Sequence, residues 1–158
     1  MNHSSLKELT IKRLNSDSAL ELSQLLQNEN KEYSRYFIPF EFDLEIISNK
    51  IKNLHRDSFW GIFIEDKLVG FYMLRGFDQG YEIPSYGVWI SKEFSGKGLA
   101  KLTLQHAISY CKINRITELM LKVHPENLQA KKIYEDFGFK QTGTDSKNNN
   151  LIYHKKLI

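Results

Sequence analysis

Two glycines one residue apart, Gly96 and Gly98, follow an apolar run that ends near Ile90 and precede a long segment with apolar residues at helical spacing. This order predicts a strand, a tight loop and a helix. Glycines in such a loop let the backbone approach a ligand closely and aim several N–H groups into one concavity, and the helix adds the positive end of its dipole. The loop can therefore bind an anion such as a diphosphate, with Lys97 and Lys101 adding screened attraction.

Two other phosphate-binding loops do not fit this segment. A nucleoside-triphosphate loop requires Lys followed by Ser or Thr, whereas Lys97 is followed by Gly98. A dinucleotide fingerprint requires a third glycine three residues after the second, and that position is Lys101. The glycine pair alone is also typical of an ordinary strand-to-helix turn, so a ligand assignment needs support from elsewhere in the sequence.

A second constellation lies on the predicted helix that follows the next apolar strand. Asn127 is suited to cap this helix, and Gly138 is suited to end it in a left-handed conformation. Its apolar face carries Ala130, Ile133, Tyr134 and Phe137. Each of these residues has a structural reason for its position. On its own, Tyr134 fits a half-buried core tyrosine better than a catalyst.

Together, the two segments resemble the GNAT superfamily of acyl-CoA-dependent N-acyltransferases. The family's pyrophosphate loop has the pattern Arg/Gln-x-x-Gly-x-Gly/Ala, and its later helix has the pattern Asn-x-x-Ala-x-x-x-Tyr-x-x-x-Gly-Phe. This chain has Ser95-Gly96-Lys97-Gly98-Leu99-Ala100 for the first pattern, and it matches the second at Asn127, Ala130, Tyr134, Gly138 and Phe139. Only Ser95 departs, and a serine cannot reach a phosphate as a long side chain does. We therefore expect weaker cofactor binding that relies on backbone N–H groups.

The resemblance implies direct attack of an amine on the thioester of acetyl-CoA, without an acyl-enzyme and without a metal. The residues that it places at the cofactor are Val88, Trp89, Ile90, Ser95, Gly96, Lys97, Gly98, Leu99, Ala100, Lys101 and Asn127. The backbone of the first three would bond the pantetheine as an added strand, and an N–H near Ile90 would stabilise the oxyanion. Tyr134 matches the family's tyrosine that hydrogen-bonds or protonates the leaving thiolate.

The base that deprotonates the amine is less well defined by the sequence. Glu82, just before the predicted central strand, is the first candidate, and His124, at the end of the next strand, is the second. An ordinary surface or loop position is the commoner role for either residue. An alternative function is a module that binds acyl-CoA without turnover, although such a module has no need of the Tyr134 hydroxyl.

The order of elements predicts a mixed, three-layer α+β fold. Strands are predicted at 6–14, 59–64, 68–74, 86–90, 119–123, 139–144 and 151–157, and helix caps at Ser16 or Asp17, at Asp43 and at Asn127. The resemblance implies a GNAT-like sheet, mostly antiparallel, in which one parallel pair splays apart, flanked by about four helices. We expect residues 1–158 to form a single acetyltransferase domain.

Composition constrains the class of protein and its partners. The chain of 158 residues is 41% hydrophobic and 26% charged with a formal charge of +3, which is typical of a globular protein and gives no sign of a nucleic-acid partner. The lone Cys111 excludes an intrachain disulfide and fits a small core residue, and no metal-ligand spacing occurs among the five histidines. Neither a signal peptide nor a membrane span is evident, so we expect a cytoplasmic protein. Whether it forms a homodimer is left open.

The acceptor is predicted to be a primary amine of a small molecule, with an amino sugar or its nucleotide-linked form as the first candidate and a protein N-terminus or lysine as the second. The aromatic stretch between the first two helices suggests this, because Tyr33, Tyr36, Phe37 and Phe40 can stack on a sugar or base. Nearby Glu29, Glu32, Glu41 and Asp43 would attract an ammonium, and Arg35 would meet an anion. These rings would equally serve to cover the core under a connecting loop.

Overall fold

The computed structural model describes residues 6–37 and 39–158. Met1 to Ser5, which entered the expectation of no signal peptide, and Ile38, within the aromatic stretch, lie outside the described residues. The strands are β1 (Leu9–Arg13), β2 (Ser58–Ile64), β3 (Lys67–Arg75), β4 (Ser85–Ile90), β5 (Glu118–Val123), β6 (Lys140–Thr144) and β7 (Leu151–Lys156). The α-helices are α1 (Ala19–Asn28), α2 (Leu44–Lys52), α3 (Leu99–Ile113) and α4 (Leu128–Asp136).

The strands form one seven-stranded sheet in the order β1-β2-β3-β4-β5-β7-β6. Of the described strands, only β4 and β5 run parallel, joined by the crossover helix α3, and every other neighbouring pair is antiparallel. The predicted α+β class with one parallel pair is confirmed. Pro84 immediately precedes β4, as expected of a residue that cannot donate to a ladder.

Alternation along the strands divides the core between the two faces of the sheet. On one face, Leu104 and Ile108 of α3 and Tyr134 of α4 pack against Leu121. On the other face, Leu22, Leu26, Ile47 and Ile51 of α1 and α2 pack against Phe59, Phe71 and Trp89. Successive strand residues point to opposite faces, so β3 and β4 contribute to both clusters and are buried on both sides. The sheet therefore lies between two helical layers, as predicted.

Helix caps follow the sequence predictions in part. The Asn127 side chain accepts a hydrogen bond from the Ala130 N–H at 3.3 Å, which confirms that cap. Asp43 holds the cap position of α2, but its side chain makes no capping bond. The predicted cap at Ser16 or Asp17 is wrong. Those residues form a single 3-10 turn, capped by Asn15, which precedes α1.

A histidine on α3 contacts the buried centre of the sheet. The Tyr72 hydroxyl lies 2.6 Å from Nδ1 of His106, and the Trp60 ring packs against the same imidazole at 5.1 Å. Burial lowers the pKa of His106. Because Tyr72 is fully buried and its own pKa is raised by burial, the phenol donates and the neutral imidazole accepts.

We expect His106 to make the fold less stable in mild acid. Its folded pKa lies below the unfolded value of about 6.5, so the unfolded chain binds the extra proton first. The stabilising contribution is complete above that unfolded pKa and is lost as the pH falls toward the folded pKa. Urea unfolding between pH 5 and pH 8 should show this slope. Replacement of His106 by Gln should flatten it, whereas the exposed His55→Gln variant should keep it.

Candidate active site

The strands β4 and β5 part after two residue pairs. Their register is Ser85 with Met120 and Tyr86 with Leu121, and it goes no further. A cavity of about 400 Å³ opens where they diverge. It is lined by residues 33–37, residues 86–90 of β4, Lys122, Val123 and His124 at the end of β5, Asn127, Gln129, Ala130 and Tyr134 around α4, and Asn150.

Alternation along β4 determines which backbone groups face this gap. The Ser91 N–H donates to the Val69 carbonyl of β3 at 2.9 Å, so the odd-numbered residues of β4 hold the hydrogen-bonded positions toward β3. Val88 and Ile90 therefore direct their backbone groups toward β5, where no strand partner remains. The backbone of Trp89 is used by the β3 ladder. Of the three residues predicted to bond a pantetheine, Val88 and Ile90 have the required orientation.

Residues 29–37, which we name the α1–α2 segment, bridge the two parting strands. The Tyr33 hydroxyl donates to the Ile90 carbonyl at 2.6 Å, and the indole N–H of Trp89 donates to the Ser34 hydroxyl at 3.1 Å. On the β5 side, the Tyr36 ring stacks on His124 with centroids 4.5 Å apart. This segment therefore forms one wall of the cavity and contacts both strands.

Tyr134 places its ring in the core and its hydroxyl toward the cavity. The ring packs edge-on against Tyr86 and Phe139. Among the described residues the hydroxyl has no hydrogen-bond partner, whereas that of Tyr86 is bonded to Thr103 at 3.0 Å. Burial raises the pKa of Tyr134, which keeps the phenol protonated. It is thus available as a donor to a ligand in the gap.

The glycine loop after β4 presents a row of free donors. Gly96 and Gly98 both have positive φ, 73° and 82°, and Gly98 occupies the N-cap position of α3. Within the part of the chain that the structure describes, the N–H groups of residues 96–101 have no acceptor. The Ser95 hydroxyl donates instead to the Lys92 carbonyl at 2.8 Å. The anion site therefore consists of backbone N–H groups at a helix start.

The two candidate bases are placed differently. Glu82 is exposed and does not line the cavity, because it precedes β4 at the end where β4 and β5 pair rather than at the end where they part. His124 does line the cavity, but its Nδ1 accepts the Glu126 N–H at 3.1 Å. A neutral imidazole that accepts at Nδ1 carries its proton on Nε2. In this geometry the remaining ring nitrogen of His124 is a donor, not a base.

Cys111 is fully buried in the α3 face of the core, as predicted, and burial raises the pKa of its thiol to about 12. A thiol in that state is not an activated nucleophile. No group of three or more His, Cys, Asp or Glu among residues 6–37 and 39–158 could hold a metal ion. Likewise, none of the described helices is long and apolar enough to cross a bilayer.

The comparisons with known proteins agree with this geometry. The model of the acetyltransferase (GNAT) family matches residues 22–139, which extend from within α1 to the residue before β6. This chain belongs to the GNAT acetyltransferase family. It is accordingly an acyltransferase. The family resemblance indicated by the motifs around Gly98 and Tyr134 is confirmed.

Curated relatives of this GNAT acetyltransferase differ in their acceptors. A probable spermine N(1)-acetyltransferase of Bacillus subtilis subsp. natto is 31% identical over 104 residues, which are 61% of this chain and 68% of that protein. The N-acetylaspartate synthetase of Xenopus tropicalis is 27% identical over 85 residues, which are 54% of this chain. The match spans only 31% of that synthetase's own length.

Solved structures share the fold. The PaiA N-acetyltransferase of Thermoplasma acidophilum, in complex with coenzyme A, superposes with a TM-score of 0.75 at 24% identity and covers 94% of this chain and 99% of that one. The spermidine N-acetyltransferase of Vibrio cholerae, in complex with CoA and spermine, gives 0.76 at 23% identity over 94% and 95% of the two chains. At these identities the likeness concerns the fold alone.

Sequence reasoning missed several cavity residues. Lys122, Gln129 and Asn150 line the cavity, but nothing local in the sequence marks them. For Lys122 a weak signal existed. It lies two residues before His124 at the end of an apolar strand, and alternation places both residues on the same face. Of the four predicted acceptor rings, Phe40 is absent from the lining because it stacks on Phe59 at 6.0 Å.

Proposed function

We propose that this GNAT acetyltransferase moves the acetyl group of acetyl-CoA directly to a primary amine of a small molecule. The observation that supports this most strongly is the convergence of free groups on one gap. The backbone of Val88 and Ile90 faces it from β4, and the unpartnered hydroxyl of Tyr134 faces it from α4. A merely structural gap would leave polar groups without a role.

Two sets of backbone groups suit two parts of acetyl-CoA, first its diphosphate and then its pantetheine arm. The N–H groups of residues 96–101 suit the diphosphate, and the exposed Lys97 and Lys101 add attraction at the surface. The Val88 N–H and C=O suit the pantetheine amides as one more strand would. Tyr33 holds the Ile90 carbonyl, so the free group of Ile90 is its N–H. We assign that N–H to the thioester oxygen as negative charge develops there.

Tyr134 would assist departure of the thiolate. Bound acetyl-CoA supplies the thioester; the amine nitrogen forms a bond to the carbonyl carbon, the C–S bond breaks, and CoA leaves with the electron pair. Full proton transfer from a phenol whose pKa burial has raised to a thiolate of ordinary basicity is uphill. The Tyr134 hydroxyl therefore acts as a hydrogen-bond donor to the sulfur while charge builds up.

Within residues 6–37 and 39–158, the lining offers no side chain suited to take the proton of the amine. None of these lining residues is a carboxylate, and the free ring nitrogen of His124 carries its proton as Nε2–H. We propose that the amine loses its proton to water, with Glu82 retained as a candidate that would have to act through water. The rate at subsaturating acceptor should then rise with pH up to the ordinary pKa of the acceptor amine, about 10 for a lysine-like amine.

Glu82→Gln tests that assignment. Because Glu82 is exposed and outside the cavity, we expect its replacement to change kcat/KM less than about 2-fold across pH 6.5 to 9.5. Initial rates of CoA release in constant-ionic-strength buffers measure this. A loss of about 10-fold or more confined to low pH, shrinking as the pH rises, would establish Glu82 as the base instead.

For the acceptor we retain an amino sugar or nucleotide-linked amino sugar as the first candidate. Tyr33, Tyr36 and Phe37 line the cavity, and they can stack on a sugar or base. The expected ammonium attraction is not found, because none of Glu29, Glu32, Glu41 and Asp43 belongs to the lining. A protein amine is the second candidate, and the crowded wall of rings disfavours it.

The proposed function is tested by following thiol release from acetyl-CoA against amino sugars, nucleotide-linked amino sugars, polyamines and peptides. Turnover of small amines supports the proposal. Turnover confined to peptides would show that the acceptor is a protein amine instead of a small molecule. If calorimetry shows that acetyl-CoA binds but no amine releases CoA, the chain is a binding module and the proposal fails.

A further inference from the structure

Among the described residues, the lining of the active-site cavity is rich in cationic donors and contains no carboxylate. Arg35 and Lys122 contribute two cationic side chains, one from the α1–α2 segment and one from β5. His124 adds an Nε2–H donor, because its Nδ1 accepts the Glu126 N–H. The other polar side chains of the lining carry hydroxyl, amide or indole groups. Such a wall is complementary to an anion.

Both cations retain free donors after their contacts within the protein. The Lys122 ammonium forms an ion pair with the Asp145 carboxylate at 2.9 Å, which offsets part of its charge and uses one of its three N–H groups. The Arg35 guanidinium donates to the Glu32 carbonyl at 2.7 Å and lies over the Tyr36 ring at 4.4 Å. Its carboxylate partner, Glu32, is 3.6 Å away and 81% exposed, so it screens the charge without occupying the fork. Each cation can therefore bind a ligand oxygen.

The names of the relatives do not decide the charge of the acceptor. They include a polyamine acetyltransferase and a synthetase of N-acetylaspartate, whose amine carries carboxylates. A polyamine would bring further ammonium groups into a cavity whose described lining holds Arg35 and Lys122 and no carboxylate, because Glu32 and Asp145, the partners of these cations, lie outside the lining. Like charges close together raise the free energy of the complex, whereas an anion on the acceptor lowers it.

We propose that Arg35 and Lys122 select an acceptor that carries a carboxylate or phosphate beside its primary amine. This inference rests on the proposed function and specifies its substrate class. It favours phosphorylated or nucleotide-linked amino sugars and amino acids over free amino sugars and polyamines. The anion would bridge the α1–α2 segment and the end of β5, which leaves the amine to face the thioester between the strands.

Matched acceptor pairs separate the charge from the rest of the molecule. Ornithine is putrescine with an added carboxylate, and glucosamine 6-phosphate is glucosamine with an added phosphate. We expect the anionic member of at least one pair to have the higher kcat/KM by about 10-fold or more, as for a charge-assisted hydrogen bond. The two pairs distinguish a carboxylate from a phosphate.

Variants then attribute the preference to the two cations. In Arg35→Gln and Lys122→Gln the ratio within the preferred pair should fall toward 1, mainly through KM, and Lys122→Arg should restore it. Lys132→Gln removes the same charge from an exposed side chain outside the cavity and should leave the ratio unchanged.

The outcomes have distinct meanings. If the anionic member is no better than its partner in both pairs, or if spermidine is turned over better than both anionic acceptors, the inference is overturned and the proposed function stands. A preference that survives both Gln variants would overturn the role of Arg35 and Lys122. If folded protein binds acetyl-CoA and releases no CoA with any of these amines, the proposed function fails and the inference fails with it.

Discussion

Tyr134→Phe should lower kcat by about 10²-fold or more, with the affinity for acetyl-CoA little changed. The ring that packs against Tyr86 and Phe139 remains in this variant, and the lost hydroxyl has no hydrogen-bond partner among the described residues. Stability should therefore stay close to that of the parent. Steady-state rates, acetyl-CoA calorimetry and urea unfolding on the same preparation measure all three quantities.

Tyr153→Phe is the matched control. The Tyr153 hydroxyl donates to Glu135 at 2.8 Å and does not line the cavity, so its loss should cost about 1 kcal/mol or less of stability and leave kcat within about 2-fold. The two variants thus predict opposite patterns. If Tyr134→Phe turns over at the parent rate, Tyr134 is a core residue only, and the leaving thiolate is stabilised in another way.

Gly98→Val should weaken acetyl-CoA binding by more than about 10-fold, or about 1.4 kcal/mol. Gly98 has φ 82°, and an added Cβ would meet nothing within 4 Å outside its own loop, so the substituent would project into open space beside the anion site. A β-branched residue there is strained and also prevents a diphosphate from approaching the backbone. Calorimetry on the folded variant gives the change in Kd.

Gly80→Val separates strain from obstruction. Gly80 has φ 93° and equally open surroundings, but it lies in the turn after β3, away from the loop. Both variants should lose comparable stability because a left-handed conformation costs a non-glycine residue about 1–2 kcal/mol. Only Gly98→Val should lose acetyl-CoA affinity. An unchanged Kd in Gly98→Val would show that the diphosphate binds elsewhere.

The sequence predicted the helices and strands well where the residues that determine them lie only a few positions apart. The Asn127 cap, the left-handed Gly138 at φ 89° and the apolar face of α4 all depend on neighbours along the chain. The Ser16 or Asp17 cap failed for a local reason as well. Asn15 offered a competing acceptor one residue earlier and formed a 3-10 turn.

The parts of the site that were not predictable depend on pairing between distant segments. Glu82 precedes β4 by a few residues, but the sequence does not show at which end β4 diverges from β5. The pairing of Ser85 with Met120 shows that the strands pair at the end near Glu82 and diverge at the other end. Trp89 was counted with Val88 and Ile90 because the sequence lacks the register to β3. The convergence of Arg35 and Lys122 joins segments that only the folded sheet brings together.

The short pairing of β4 with β5 has a thermodynamic consequence. In the described part of the chain, two residue pairs form the ladder between the half-sheet β1–β4 and the half-sheet of β5, β7 and β6. Besides the shared core under α3 and α4, the α1–α2 segment adds side-chain contacts to both halves through Tyr33 and Tyr36. A cosubstrate that bonds both sides of the gap completes the ladder and so becomes a structural component of the native state. Its concentration then raises the free energy of unfolding, by about 2.7 kcal/mol at a hundred times Kd. The native state of the enzyme would then be most stable with its cosubstrate bound.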